Sequence, residues 1–264
     1  LKLSQSTFAQ GRLACACIDL RRGELFLRIS QTDDIDAYLA AEEASRPRPA
    51  AELKFTVISP VYQVEKYLDD FFRSVVGQTI DFRSSIDLIM VDDGSTDNSA
   101  KIVKRWQRKF PDNIRYLHQA NGGPGSARNR GIDLATRPWI TFIDPDNFID
   151  EKYFERVRDA IRSYDDLAMV SCNVITFDEQ RRTKLDDHPL RFRFATGELL
   201  LPATQLGRNL QLNTSSAFFR TEIIAAHSLR FDERIRPGFE DAHFDARYLL
   251  AAGARPVIFS SAER

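Results

Sequence analysis

Hydrophobic positions along this chain change period repeatedly, from runs of buried-strand type to the three-and-four spacing of a helix face. Phe55-Thr56-Val57-Ile58-Ser59 is apolar and β-branched, whereas Val64 to Val76 places Tyr67, Leu68, Phe71, Phe72 and Val75 at helical intervals. The alternation continues: Ile86 to Val91 reads as a strand, Ser99 to Phe110 as an amphipathic helix, Ile114 to Leu117 as a strand and Ser126 to Ala135 as a helix. Trp139 to Ile143, Leu167 to Phe177 and Arg255 to Phe259 read as further strands, with Glu151 to Arg162 as a helix between the first two. Strands separated by helices of this length predict an α/β fold, a mostly parallel central sheet with helices on both faces. In such sheets a ligand sits beyond the carboxyl ends of the strands.

The first 44 residues do not follow that pattern. Leu13 to Ile18 and Glu24 to Ile29 suggest a hairpin turning at Arg21-Arg22-Gly23, with a short helix near Asp34 to Ala41. Ser45 to Glu52 carries two prolines and no large hydrophobe, so residues 45–53 read as a linker between an appendage, 1–44, and the main domain, 54–264. The chain starts at Leu1 and stops just after a strand-like segment, which suggests a fragment truncated at its carboxyl end.

Composition narrows the function classes. In 264 residues, 43% of them hydrophobic, there is enough apolar material for a sizeable core. The 37 basic and 38 acidic residues leave a net charge of −1, so no global field draws the chain to nucleic acid. Cys15, Cys17 and Cys172 make neither an even disulfide framework nor a four-ligand zinc pattern, which fits a reducing, cytoplasmic setting. No apolar run is long enough to span a bilayer, so any membrane association would be peripheral, at the inner face, through missing regions.

The polar residues that carry chemistry cluster at the strand ends. Asp144-Pro145-Asp146 follows the strand Trp139 to Ile143, and two carboxylates there offer hard oxygens to magnesium or manganese on a diphosphate. Alone, such a tripeptide is most often a solvated turn. Ser59-Pro60-Val61-Tyr62 ends the first strand with an aromatic ring that either caps the core or meets a base. Asp92-Asp93-Gly94-Ser95-Thr96-Asp97 ends the second, where adjacent carboxylates repel unless something donates to them; a uracil imide or a ribose hydroxyl would serve, and so would a helix cap. Asn121-Gly122-Gly123-Pro124-Gly125-Ser126-Ala127-Arg128 combines three glycines, a helix start and a guanidinium fork, which resembles a phosphate-handling loop without the P-loop or Rossmann spacing. Glu240-Asp241 opens a late helix, either complementing its dipole or supplying a carboxylate base. His118, His188, His227 and His243 lack ligand spacing, and the arginine-rich stretch from Arg181 to Arg193 reads as a solvated loop.

Taken in order, Thr56 to Tyr62, Val91 to Asp97, Asn121 to Gly131, Phe142 to Asn147 and Gly238 to Asp241 resemble glycosyltransferase family 2 over residues 54 to about 259. The resemblance implies a GT-A (Rossmann-like) fold, a nucleotide-sugar donor of the UDP-sugar type, Mn2+ or Mg2+, and inverting transfer to a glycan, cell-surface polymer or lipid-linked acceptor. It also implies that Pro60, Tyr62, Asp92 or Asp93, Asn121, Gly123 and Arg128 surround the nucleoside diphosphate. Asp144 would face the ribose or metal, Asp146 would ligate the metal, Asp241 would be the general base, and Glu240 would orient it or touch the acceptor.

Two departures stand out. Asn147 occupies a position where many members carry another aspartate, and no Gln-x-x-Arg-Trp follows the metal motif, Arg105-Trp106 lying far upstream. The second favours a non-processive or separately anchored enzyme over a membrane-embedded synthase. An inactive nucleotide-sugar-binding module and a sugar nucleotidyltransferase remain open, although the lysine-containing glycine-rich loop of the latter is replaced by Pro60-Val61-Tyr62.

Overall fold

A computed structural model describes residues 14–19, 24–29, 53–174, 176–178, 183–185, 199–205, 214–235 and 238–263. The chain divides into two compact units, Leu1–Ala51 and Glu52–Arg264. In the first, β1 (Ala14–Asp19) and β2 (Glu24–Ile29) pair antiparallel, Ala14 opposite Ile29 and Asp19 opposite Glu24. The expected turn at Arg21-Arg22-Gly23 and helix near Asp34 to Ala41 lie outside the described residues.

Among the described residues, the main sheet of the second unit has eight strands. In chain order they are β3 (Phe55–Val61), β4 (Ile86–Asp92), β5 (Ile114–His118), β6 (Trp139–Phe142), β7 (Met169–Asn173), β10 (Leu199–Pro202), β11 (Ala217–Arg220) and β12 (Pro256–Glu263). A separate two-stranded ribbon joins β8 (Thr176–Asp178) to β9 (Thr183–Leu185). The helices are α1 (Leu68–Val76), α2 (Phe82–Ser85), α3 (Ser99–Lys109), α4 (Pro124–Ile132), α5 (Tyr153–Ser163), α6 (Thr221–Ala226) and α7 (Glu240–Ala252). Across the sheet the order is β10-β12-β7-β11-β6-β3-β4-β5.

That order locates the site. From β3 the chain steps outward through β4 to β5, all parallel, then returns through α4 to β6 on the other side of β3. Right-handed crossovers therefore place α1 and α3 on one face and α4 on the other, and the reversal between β3 and β6 opens a crevice at their carboxyl ends. Period-two alternation feeds both faces. Phe55, Val57 and Val61 join Leu68, Phe71, Phe72 and Val75 of α1 in one core, while Ile58 turns to the opposite core with Ala127, Phe142, Phe244 and Tyr248. On the second face α4 lies against β3 itself, because a Cβ on Gly131 would come within 2.3 Å of Ile58 Cγ2.

The sheet is mostly parallel, as expected, with two exceptions: β11 runs antiparallel to β6 and β7, and β10 antiparallel to β12. Neither falls in the alternation of strands and helices along the sequence. The first helix starts at Leu68 rather than at Val64, since Gln63 takes a left-handed backbone (φ +54°) and the loop after it is tied to the next one. There Ser99 Oγ accepts from Val64 N–H at 3.1 Å, and Asp97 Oδ2 accepts from Glu65 N–H at 3.0 Å. Arg105 and Trp106 both donate to Asp69 Oδ1 and so bind α3 to α1.

Candidate active site

The end of β3 holds Pro60 half-buried and carries Tyr62 outward, 51% exposed. Its neighbour β4 ends in register, Asp92 opposite Val61. Both acidic side chains expected to contact a nucleoside are satisfied from within the chain. Asp92 is fully buried and accepts from Ser95 N–H at 2.8 Å and from the Tyr116 hydroxyl at 2.6 Å. Burial and the Asp92 carboxylate together push the Tyr116 hydroxyl well above its usual pKa. Asp93 Oδ1 accepts from Gln119 Nε2 and Gly122 N–H, both at 2.8 Å, and Oδ2 from Gly123 N–H at 2.7 Å.

Asp93 thereby shapes the loop in which Asn121 is exposed and Gly123, at φ +87°, leads into Pro124 at the head of α4. That backbone angle favours glycine. Gly94, at φ +80°, faces the same loop, and a Cβ there would stand 3.1 Å from Asn121 N. Repulsion between Asp92 and Asp93 is thus answered by donors from β5 and the Gly122-Gly123 loop, with no ligand required.

One turn into α4, Arg128 is buried and already engaged on two sides. Its Nη2 donates to Asp144 Oδ1 at 2.9 Å and its Nη1 to Glu240 Oε1 at 3.0 Å. Burial works against its charge, but the two carboxylates outweigh that and hold its pKa above the usual value. Its plane lies 5.4 Å from the centroid of Phe231, and Nε has no hydrogen-bond partner among the described residues. With one hydrogen bond from each Nη to a carboxylate, Arg128 ties the strand-end motif to α7. Asn129 fixes the same region, accepting from Phe231 N–H at 2.8 Å and donating to Phe231 O at 3.0 Å.

At the end of β6, Asp144 is half-buried and Asp146 exposed. Asn147 closes the turn between them, its N–H donating to Asp144 O at 3.0 Å and its Nδ2 to Asp146 Oδ1 at 2.9 Å. A third aspartate at this position could not make that second bond. Beside Asp146 a groove of about 620 Å³ runs along α1, with Tyr67, Arg73 and Phe148 in its wall. A smaller cavity of about 180 Å³ lies between the heads of α4 and α7, lined by Gly122, Ser126, Glu233, Gly238 and Glu240.

Helix α7 brings its own acidic face. Glu240 is buried on Arg128, while Asp241 is half-buried and accepts only a local bond, from Ala242 N–H at 2.7 Å, among those resolved for it. One turn on, Asp245 is buried, accepts from the Thr214 hydroxyl at 2.8 Å, and leaves Oδ2 without a partner among the described residues. Burial pushes its pKa up to about 8, and the nearby Asp241 carboxylate adds to the rise against the Thr214 bond and Arg128. Sequence reasoning missed Asp245, Thr214, Asn129 and Phe231. Only Asp245 carried a signal, a carboxylate four residues from Asp241 beside the apolar positions Phe244 and Tyr248.

No group of three or more histidine, cysteine or acidic side chains is placed to hold a metal among the described residues. Asp144 and Asp146 nevertheless fit a hard divalent cation as a partial donor set, to be completed by phosphate oxygens and water.

Comparison with known proteins agrees with this layout. The model of the family described as glycosyl transferase family 2 matches residues 56–225. The minor teichoic acid biosynthesis protein GgaB of Bacillus subtilis (strain 168) is 35% identical over 188 residues, 71% of this chain and 20% of that protein. GgaA of the same strain is 30% identical over 198 residues, 74% of this chain and 43% of that protein. The chain therefore spans a fifth to under half of these relatives. Among solved structures, S. aureus TarS 1-349 in complex with UDP superposes with a TM-score of 0.65 at 22% identity, over 79% of this chain and 60% of that one. The mannosyltransferase PcManGT from Pyrobaculum calidifontis, in complex with GDP-Man and Mn2+, gives 0.60 at 18% identity, over 86% and 62%. The fold is GT-A.

Proposed function

The chain belongs to glycosyl transferase family 2, and on that premise we propose that it transfers a sugar, with inversion, from a UDP-sugar to a hydroxyl of a cell-surface polymer or its lipid-linked precursor. The observation that carries this reading is the buried bridge from Asp144 through Arg128 to Glu240, which draws the strand-end acidic motif and the head of α7 into one site. The choice of UDP is supported by the UDP and UDP-GlcNAc complexes of TarS, and the polymer acceptor by the teichoic acid relatives.

Each group then has a task. Tyr62 offers an exposed ring at the end of β3 on which a base can stack, beside Pro60. Asp93 holds Gly122 and Gly123 so that the loop wall, with exposed Asn121, meets the nucleoside diphosphate. Asp92 supports this wall from behind through Ser95 and Tyr116. Asp144 and Asp146 would hold Mn2+ or Mg2+, which neutralises charge on the departing diphosphate when bound. Asp241 takes the proton of the acceptor hydroxyl as that oxygen bonds to the anomeric carbon, while the bond from that carbon to the diphosphate oxygen breaks on the opposite face. Glu240, spent on Arg128, orients Asp241 from the adjacent position. Among the described residues no helix is long and apolar enough to cross a membrane, and we place the reaction on the cytoplasmic side, at the inner face where such acceptors are anchored.

Calorimetric titration with UDP, with and without Mn2+, tests the donor half. The wild type binds UDP in a Mn2+-dependent manner and Asp146→Asn does not. Equal UDP affinity in both proteins would remove Asp146 from the metal site.

A further inference from the structure

The head of α7 is held in an unusual way. Its first residue is preceded by Phe239, which is 78% exposed, adopts a left-handed backbone (φ +68°, ψ 0°) and donates no side-chain cap. A bulky residue in that conformation persists only where surrounding contacts over-determine it. Gly238 before it is also left-handed, at φ +81°, and a Cβ there would meet nothing within 4 Å, so packing does not dictate that turn. The strong contact at this helix end is the one Glu240 makes with Arg128, 112 residues away in sequence.

We propose that Arg128 is a positioning residue that couples the two halves of the reaction, its buried guanidinium holding Asp144 of the metal motif with one amino group and Glu240, next to the base Asp241, with the other. The idea rests on the donor and base assignments above. The geometry permits little slack. Arg128 is confined by Phe231 over its plane, by the Asn129 bonds to the Phe231 backbone and by Gly131 pressed against Ile58, so α4 and its guanidinium sit as a fixed post between β3 and α7. One cation facing two carboxylates leaves excess negative charge, which a divalent cation at Asp144 relieves. Were Asp144 to hold such a cation, its carboxylate would be shared between the cation and Arg128, and the bond from Arg128 to Glu240 would respond. Through the same guanidinium, a change at Glu240 alters binding at Asp144 in turn. A lysine cannot reproduce this, since its single ammonium lacks the planar fork that spans two partners.

Hydrogen–deuterium exchange on the whole ligand-free chain reads the coupling directly at the amides of residues 243–247, beginning with His243 N–H, which bonds to Phe239 O at 3.1 Å. In Asp144→Asn and in Arg128→Lys these amides exchange faster, by roughly fivefold or more, while the amides of α3 keep their wild-type rates. Unchanged exchange at 243–247 in Asp144→Asn overturns the proposal, even if Arg128→Lys fails to fold. The second arm is Mn2+-dependent UDP titration. Glu240→Gln lowers UDP affinity by roughly fivefold or more, and adding it to Arg128→Lys lowers affinity no further than Arg128→Lys alone, which a merely structural arginine would not produce. Wild-type affinity in Glu240→Gln counts against the coupling. Failure of the wild type to bind UDP instead overturns the donor reading, and the exchange arm then decides the clamp by itself.

Discussion

The acidic pairs Asp92-Asp93 at the end of β4 and Glu240-Asp241 at the head of α7 are treated differently by the chain. The first pair is buried and saturated, taking donors from Ser95, Tyr116, Gln119, Gly122 and Gly123. The second splits its work: Glu240 is paired with Arg128, while Asp241 keeps partial exposure and, among the described residues, only a bond to its own helix. A carboxylate that accepts several protein hydrogen bonds is a structural pin, with little capacity left for a reacting proton. One that is held in place by its neighbour, with its own oxygens open, is suited to act as a base.

The sharpest way to break this comparison is to remove each charge with an isosteric amide. Asp241→Asn loses transfer by about 10²–10⁴-fold while keeping Mn2+-dependent UDP affinity and unfolding stability within about 0.5 kcal/mol of wild type. Initial rates, UDP titration and urea denaturation measure the three quantities. Transfer at the wild-type rate would leave the second pair without a base.

Asp93→Asn is expected to do the reverse. Its amide nitrogen replaces one of the two oxygens and turns a donor toward the N–H of either Gly122 or Gly123, and hydrogen bonds to a charged acceptor are worth about 1.5–3 kcal/mol each. We expect stability to fall by about 2–3 kcal/mol in urea denaturation, with UDP affinity falling too because the Gly122-Gly123 loop relaxes. A variant of wild-type stability would mean that Asp93 is no pin, and the distinction between the pairs would fail.

How far the sequence reveals this can be judged from the same residues. The strands β3, β4 and β6 were legible because they are apolar runs bounded by turn residues, and with them the switch point and every motif at its rim. Strands β10 and β11 were not, since neither falls in the alternation of strands and helices, and with them the two antiparallel strands of the sheet were missed. Residue types at the site were legible, but their loyalties were not. Arg128, just after a glycine-rich loop, reads from sequence as a phosphate ligand, and nothing in the sequence shows that the fold also brings Glu240 to it across 112 residues. Asp92 and Asp93 look free until β5 and the Asn121 loop arrive with donors. Long-range pairing of this sort leaves no periodic trace.

Asp245 sharpens the comparison at its weakest point, as an acidic residue of α7 that is neither saturated nor open. It is buried, with Thr214 on one oxygen and no partner on the other among the described residues, and burial pushes its pKa up to about 8. In the unfolded chain the same carboxyl has an ordinary value near ~3.9. Between these limits the folded protein keeps a proton that the unfolded chain has released, so the native state binds more protons and stability falls as pH rises. The contribution is fully present below about pH 4 and is lost by the time pH has risen through about 8. An asparagine accepts the Thr214 bond and carries no titrating proton. Asp245→Asn should therefore match the wild type near pH 4 and exceed its unfolding free energy at pH 8 by at least about 1.4 kcal/mol, the equivalent of one pKa unit. Urea denaturation at both pH values reads the difference. A constant offset between the two proteins across this range would show that Asp245 is ionised in the folded chain, and α7 would then carry three charged carboxylates facing one arginine.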